Sequence, residues 1–338
     1  DRLTGGPVGD TLLGYGDADE IAGQDGHDCI GGGDGDDRLS GGRSGDAIFG
    51  ELGADNVAGD TGCDRIFGGE GNDVIVAGPN RLSLQARLEA PIGARDRDEV
   101  TAGPGDDVVT SGADDDRVSG GDGEDQLSGG GGNDAMEGNR GRDRLTGSTG
   151  SDYIVGGFGT DVIRGGPGRD FLGGDVDLGF AFDDVTALVG GERPVAGDDV
   201  IDGGSGDDQM HGEAGDDRFD AGSGRDAVQG MRGDDLLVGD DGQDNLQGGP
   251  GDDRMSGGSD RDFVVGAAGD DTIFGGTFGD RIDGGVGNDE IDGGSGPDRI
   301  DVRDRDRDVV RCGEGRDRVV TDRRDRVRGC EIVNGRPR

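Results

Sequence analysis

Lysine and tryptophan are missing from this chain of 338 residues, histidine occurs twice, and aromatic residues make up 4% of it. Without lysine every basic side chain is an arginine, and there is no basic patch interleaved with aromatics for DNA or RNA to grip. No run of about 18 apolar residues is present, so nothing reads as a membrane span. The first residues show no basic-then-apolar export signal either. With 29% apolar residues, the chain falls short of the thick core that an ordinary globular protein of this length builds. Cohesion has to come from something other than apolar burial.

Charge is strongly one-sided: 76 acidic residues face 34 arginines, for a formal charge of −42, with a mean hydropathy of −0.67. Composition alone places such a chain among disordered polyanions. It repels itself, and it repels nucleic acids and anionic membranes, until cations arrive. The chain opens on Asp1, Arg2, Leu3, Thr4 rather than on Met, which reads as the tail of a repeat. A longer parent protein is expected, with room upstream for an export signal.

Glycine is plentiful, with 80 residues, yet it does not fall at every third position as a collagen helix demands. Its period is nine. Residues 32–40 show the pattern Gly-Gly-x-Gly-x-Asp-x-U-x in full, where U is a large apolar residue: Gly32, Gly33, Gly35, Asp37 and Leu39 take positions 1, 2, 4, 6 and 8. Nonads run without gaps over 5–76, 93–173 and 194–301, in blocks of eight, nine and twelve that total 29 units. Position 6 is aspartate in all of them. These are Asp10, Asp19, Asp28, Asp37, Asp46, Asp55, Asp64 and Asp73 in the first block. The second holds Asp98, Asp107, Asp116, Asp125, Asp134, Asp143, Asp152, Asp161 and Asp170. The third holds Asp199, Asp208, Asp217, Asp226, Asp235, Asp244, Asp253, Asp262, Asp271, Asp280, Asp289 and Asp298. Position 8 is always apolar, as at Leu12, Ile66, Val118, Ile163, Met210, Phe219 and Ile300. Position 4 departs from glycine at Val8, Asp17, Ser44, Asp96, Asp114, Asp260 and Phe278. Gly9, Gly45 and Gly279 follow three of these, so the backbone freedom is expected to have moved one residue on.

Glycines let the loop curl until several carbonyl oxygens face inward, and the aspartate adds a carboxylate. Such hard oxygens in a flexible loop suit Ca²⁺, which takes 6 to 8 ligands, better than the strict octahedron of Mg²⁺. The x-U-x triplet is too short for a helix but fits a strand with one side chain inward and two outward. Two nonads can face each other as one turn, and turns can stack about 4.8 Å apart into two parallel sheets, for roughly 14 turns and about 70 Å in all. The position-6 aspartates two nonads apart then become neighbours with room for an ion between them. A block of n nonads offers n − 2 such gaps, hence about 23 candidate Ca²⁺ sites. Stacked carboxylates repel unless neutralised, so Ca²⁺ binding is folding free energy and the chain is expected to be largely unfolded without it. Single-site affinities are expected at about 10⁻⁴–10⁻³ M.

These nonads resemble the RTX (repeats-in-toxin) calcium-binding nonapeptide family over about 261 residues, at 29 units of nine. The resemblance implies an all-β, right-handed parallel β-roll with two nonapeptides per turn. It implies Ca²⁺ held by the position-6 aspartates with loop carbonyls of adjacent turns, secretion from a bacterium, and folding outside the cell. Loops that lose glycine at position 1 or 2, as at Ser111 and Asn139, are expected to bind less well.

The expected organisation is a roll block over 1–76, an insertion at 77–92, a second block over 93–173, an insertion at 174–193, a third block over 194–301 and a cap over 302–338. In the first insertion Leu84 and Leu88 are spaced as one face of a short helix. The second carries Leu178, Phe180, Phe182, Val185, Leu188 and Val189, and reads as a loop on the flank or as a patch for a partner. In the cap Asp304, Asp306 and Asp308 mimic an EF-hand start, but Val309 and Gly315 stand where its glycine and glutamate belong. Cys312 and Cys330 are expected to pair in an oxidising setting. Cys29 and Cys63, four nonads apart, would lie roughly 9–10 Å apart and are expected not to pair.

Catalysis finds no footing. His27 and His211 sit at outward positions 5 and 9, and neither His-Glu-x-x-His nor Gly-x-Ser-x-Gly occurs. An ice-binding rod needs a regular outward ladder, but position 9 runs Leu13, Ala22, Gly31, Ser40, Phe49, Ala58, Phe67. The outward arginines at position 7 (Arg38, Arg65, Arg117, Arg144, Arg218, Arg254, Arg281, Arg299) are expected to pair with position-5 acids such as Asp36, Asp106 and Asp207, themselves solvated rather than primary ligands. The reading is an extracellular calcium-binding stalk or adhesin segment, with an extracellular protein or a cell surface as its partner. Its rival is the C-terminal calcium-binding part of a secreted toxin, protease or lipase whose catalytic domain lies outside this chain.

Overall fold

One large apolar residue between two outward ones, followed by a glycine turn, makes a strand that cannot bury its face alone and has to stack. A computed structural model describes residues 1–78, 97–174 and 197–330, together with the short strands Ile332–Val333 and Arg336–Pro337. It is an all-β parallel solenoid, without a helix among the described residues. Two compact units, Asp1–Gly166 and Pro167–Arg338, are distinguished.

In the first unit Glu20–Asp25, Arg38–Arg43 and Asn56–Thr61 pair in parallel, with Ile21 opposite Leu39 and Leu39 opposite Val57. On the other sheet Thr11–Gly16, Cys29–Asp34, Ala47–Leu52 and Arg65–Glu70 pair with Leu12, Ile30, Ile48 and Ile66 in line. Partners are 18 residues apart, so two nonads form one turn. Ile66 next pairs with Val100 and Ile75 with Val109, a step of 34 that leaves both ladders in register. In the second unit Met210, Val228, Leu246, Val264, Ile282 and Ile300 form a similar row. Leu172 pairs with Met210 across a step of 38. Every position-8 side chain named here except Leu12 is at most 3% exposed.

The residues that precede both long steps keep the register of the ladder. Ala77 and Gly78 donate their N–H groups to the carbonyls of Thr110 and Ser111, and Gly174 donates to His211. These three residues therefore stay in the ladder. Leu84, Leu88 and the apolar residues expected to mark the second insertion lie outside the described residues.

Two expectations change. Many strands are six residues long, as Arg38–Arg43, and run through the first three positions of the next nonad. Position 1 therefore also faces inward, where Ala102 and Ala221 are fully buried. Only stretches such as Gln209–His211 and Arg218–Asp220 keep the predicted triplet. The left-handed residue also stays at position 4: Ser44 (φ 80°) and Phe278 (φ 75°) adopt it themselves, while Gly45 and Gly279 do not. Hydrogen bonds to the turns on either side hold the register, so the chain bears the local strain, about 1–2 kcal/mol per residue, rather than shift by one.

Two outcomes follow. Ile154→Ala, at a side chain with 0% exposure, is expected to destabilise the calcium-loaded protein by roughly 2–4 kcal/mol in chemical denaturation. Phe278→Gly is expected to raise the thermal midpoint instead, because its strain disappears.

Candidate metal centre

Along each edge the position-6 aspartates stack one turn apart, buried in every case but Asp10. Within each unit the main-chain N–H of one donates to Oδ1 of the next. On one edge of the first unit Asp19 donates to Asp37, Asp37 to Asp55 and Asp55 to Asp73, at 2.7–2.8 Å. On its other edge Asp28 donates to Asp46, Asp46 to Asp64, Asp64 to Asp98 and Asp98 to Asp116, each at 2.8 Å. In the second unit Asp208 donates to Asp226, Asp226 to Asp244 and Asp244 to Asp262 at 2.8–3.0 Å. Asp217, Asp235, Asp253 and Asp271 form the companion row. A second bond returns in the other direction, as from the Arg38 N–H to the Asp19 carbonyl at 2.9 Å. The predicted columns are thus brought together.

Oδ1 is satisfied by this ladder, but Oδ2 of Asp37, Asp55, Asp107, Asp125, Asp244, Asp253 and others is buried with no hydrogen-bond partner. The position-1 glycine makes room for that oxygen. A Cβ on Gly203 would stand 2.8 Å from Oδ2 of Asp208 and 2.8 Å from the carbonyl oxygen of Ala221, one turn on. Position 4 is equally tight: a Cβ on Gly224 (φ 154°) would collide with the carbonyl oxygen of Gly206. Carboxylate and carbonyl oxygens therefore face the same spaces between turns. Among the described residues no three His, Cys, Asp or Glu side chains converge, so most ligands of an ion here would come from the main chain. An all-oxygen set with an orphaned carboxylate oxygen at Asp37, Asp55, Asp125, Asp253 and others fits Ca²⁺. The position-6 aspartates and the loop carbonyls would hold it, and the bound ion would supply neutralisation and a cross-link between turns.

Burial, opposed by the N–H bond and reinforced by neighbouring carboxylates, pushes the acids upward. Asp107, Asp125 and Asp244 rise to about 7, and Asp271 to about 8. Asp55, Asp235 and Asp289 rise to about 6.

The outer acids behave differently. Asp36, Asp106 and Asp207 are exposed, and each accepts the N–H of the residue one turn on: Ala54 at 3.0 Å, Glu124 at 2.9 Å and Arg225 at 3.0 Å. They brace the loops rather than serve the arginines. The expected pairing of position-7 arginines with them is not what Arg65 and Arg281 do. Arg65 bonds Glu99 at 2.9 Å on the adjacent strand, and Arg281 lies 5.1 Å above the Phe263 ring. The reason is reach, since position-7 side chains of neighbouring strands stand side by side.

Cys312 and Cys330 form a disulfide, whereas Cys29 and Cys63, both exposed, are in none. His27 is exposed and its Nδ1 contacts the Gly45 carbonyl at 2.7 Å. The His211 ring packs 5.4 Å from that of Phe171.

Two column members escaped the sequence reading. Asp289 donates to Asp308 and Asp298 to Asp317, both at 3.0 Å, and both acceptors are fully buried. An extra residue before Asp308 breaks the period of nine. The signal that survives is Asp-x-U in Asp308-Val309-Val310 and Asp317-Arg318-Val319.

Fold and site together define a parallel β-solenoid with cation-binding glycine loops. A family model described as RTX calcium-binding nonapeptide repeat (4 copies) matches residues 4–39, 31–62, 49–80, 101–136, 137–172, 195–228, 229–264 and 265–300. These cover well over half of the chain, which belongs to that family. Curated proteins return no match. Among solved structures, a hyperactive, Ca²⁺-dependent, β-helical antifreeze protein from an Antarctic bacterium aligns at 17% identity over 93% of this chain and 84% of that one, with a TM-score of 0.33.

Without bound cation, carboxyls with folded values near 6–8 and an ordinary value of 3.8 stabilise the coil when protonated. That contribution is complete below about pH 4 and lost as pH rises through 6–8. In calcium-free buffer, far-UV circular dichroism is expected to show more β structure at pH 5 than at pH 8. The calcium midpoint is expected to fall over the same interval as the protons leave.

Proposed function

We propose that this chain is an extracellular calcium-binding repeat module that folds as Ca²⁺ binds and serves as a structural stalk or adhesin segment. The observation that carries this reading is the row of buried carboxylate oxygens without hydrogen-bond partners. Each such oxygen costs free energy unless a cation meets it. The 29 position-6 aspartates are the proposed side-chain ligands, with about 23 ions between turns within the three nonad blocks. An oxidising exterior agrees with the Cys312–Cys330 disulfide. No helix of the described residues is long and apolar enough to cross a membrane. The work proposed is mechanical, with millimolar calcium outside a cell holding the turns together and low calcium inside leaving them open. The partner proposed is a protein or surface outside the cell.

The test is a Ca²⁺ titration followed by far-UV circular dichroism. A cooperative gain of β signal is expected, with a midpoint of about 10⁻⁴–10⁻³ M, and a β spectrum that persists at pH 8 in excess chelator would overturn the reading. Asp253→Asn, which removes one buried carboxylate from the column, is expected to move the midpoint to higher calcium.

A further inference from the structure

We propose that the second unit carries one divalent-cation loop beyond the 29 nonads and beyond the family match, namely Cys312–Asp317, set against Gly293–Asp298 and tied down by the disulfide to Cys330. This rests on the calcium reading above. The segment Cys312-Gly313-Glu314-Gly315-Arg316-Asp317 keeps glycine at the second and fourth places and aspartate at the sixth. Gly313 (φ 92°) and Gly315 (φ 152°) hold the left-handed backbone that shapes the other loops. Asp317 is fully buried and its Oδ1 accepts the Asp298 N–H at 3.0 Å, while the Arg318 N–H returns to the Asp298 carbonyl at 2.8 Å. Val319, two residues after the aspartate, is fully buried, as a position-8 residue is.

The space for the ion is framed independently of Asp317. Oδ2 of Asp298 is buried and has no hydrogen-bond partner. A Cβ on Gly293 would stand 2.7 Å from that oxygen and 2.6 Å from the carbonyl oxygen of Cys312. The carboxylate of one loop and the first carbonyl of the next therefore face one small space, the arrangement that recurs at Gly203, Asp208 and Ala221. The other edge ends differently. Val302–Asp308 has one residue too many and no glycine. There Asp304 closes the loop itself, accepting the Gly287 N–H at 3.0 Å and the Asp306 N–H at 2.8 Å. No cation loop is assigned to it.

Cys312 contributes the carbonyl, and its side chain joins Cys330, 18 residues on, with a Cα–Cα distance of 5.2 Å. Its N–H is bonded to the Arg328 carbonyl at 3.0 Å. The disulfide fixes the turn above and so positions the carbonyl before any ion binds. Occupancy of this loop is thereby coupled to the oxidation state of the cysteine pair.

Hydrogen exchange of the full chain, read by mass spectrometry in chelator and at rising Ca²⁺, tests this. Peptides covering 309–321 are compared with peptides covering 245–290. Calcium is expected to slow exchange in both. Asp317→Asn is expected to abolish the effect in 309–321 alone, and Cys312→Ser with Cys330→Ser is expected to raise the calcium needed there by about tenfold, since the open turn loses its covalent constraint. The proposal is overturned if 309–321 is equally protected in chelator and in calcium, or stays unprotected while 245–290 responds. It is also overturned if the double serine variant leaves the midpoint of 309–321 unchanged. Should Asp317→Asn lose protection throughout, the serine variant decides, because it keeps every carboxylate. Indifference of 245–290 to calcium would instead refute the calcium reading itself.

Discussion

The structure depends on one constraint: aspartates of consecutive turns are stacked in the interior, and at Asp37, Asp125, Asp253 and others one oxygen is left over. Two like charges about 5 Å apart repel by about 3 kcal/mol at an effective dielectric of about 20, and burial adds a desolvation cost to each. A core of one large side chain per nonad, helped at position 1 by little more than an occasional alanine, cannot offset that along a whole column. Neutralising the carboxylates, by protons at low pH or by divalent cations, removes that repulsion. At neutral pH a bound calcium ion would supply that neutralisation, with carbonyl oxygens of neighbouring turns as further ligands.

The same repeat that gathers the charge makes it usable. Aspartates such as Asp37, Asp55 and Asp253 use their N–H and Oδ1 to set the register and leave Oδ2 without a hydrogen bond, so register and the proposed binding role fall on different atoms of one residue. The outer acids at position 5 brace the loops through bonds of the opposite sense while staying in solvent. The strand rows keep their register across the steps of 34 and 38 residues.

Much of this was legible from residue types and spacing. The period of nine, the inward apolar position and the aspartate that recurs without exception define the strand, the turn and the buried carboxylate, because each is a local property of backbone and side chain. The pairing of Cys312 with Cys330 is expected from their place on either side of the cap in an oxidising setting, and the structure joins them. Harder to see were Asp308 and Asp317, because a single added residue hides them from a search for strict nonads while the hydrogen-bond ladder absorbs it.

What the sequence by itself determined is the repeating unit, its handful of chemically committed positions and its demand for cations. Only the tertiary structure decided how neighbouring turns share their atoms. It shows that Ser44 and Phe278 accept a left-handed backbone rather than yield the register, that Arg65 reaches Glu99 rather than an outer aspartate, and that the ladder runs on to Asp317. The physical reason is common to all three. A residue's local preference is worth about a kilocalorie, whereas the parallel ladder links each turn to the next by several hydrogen bonds at once, and that sum sets where each side chain ends up.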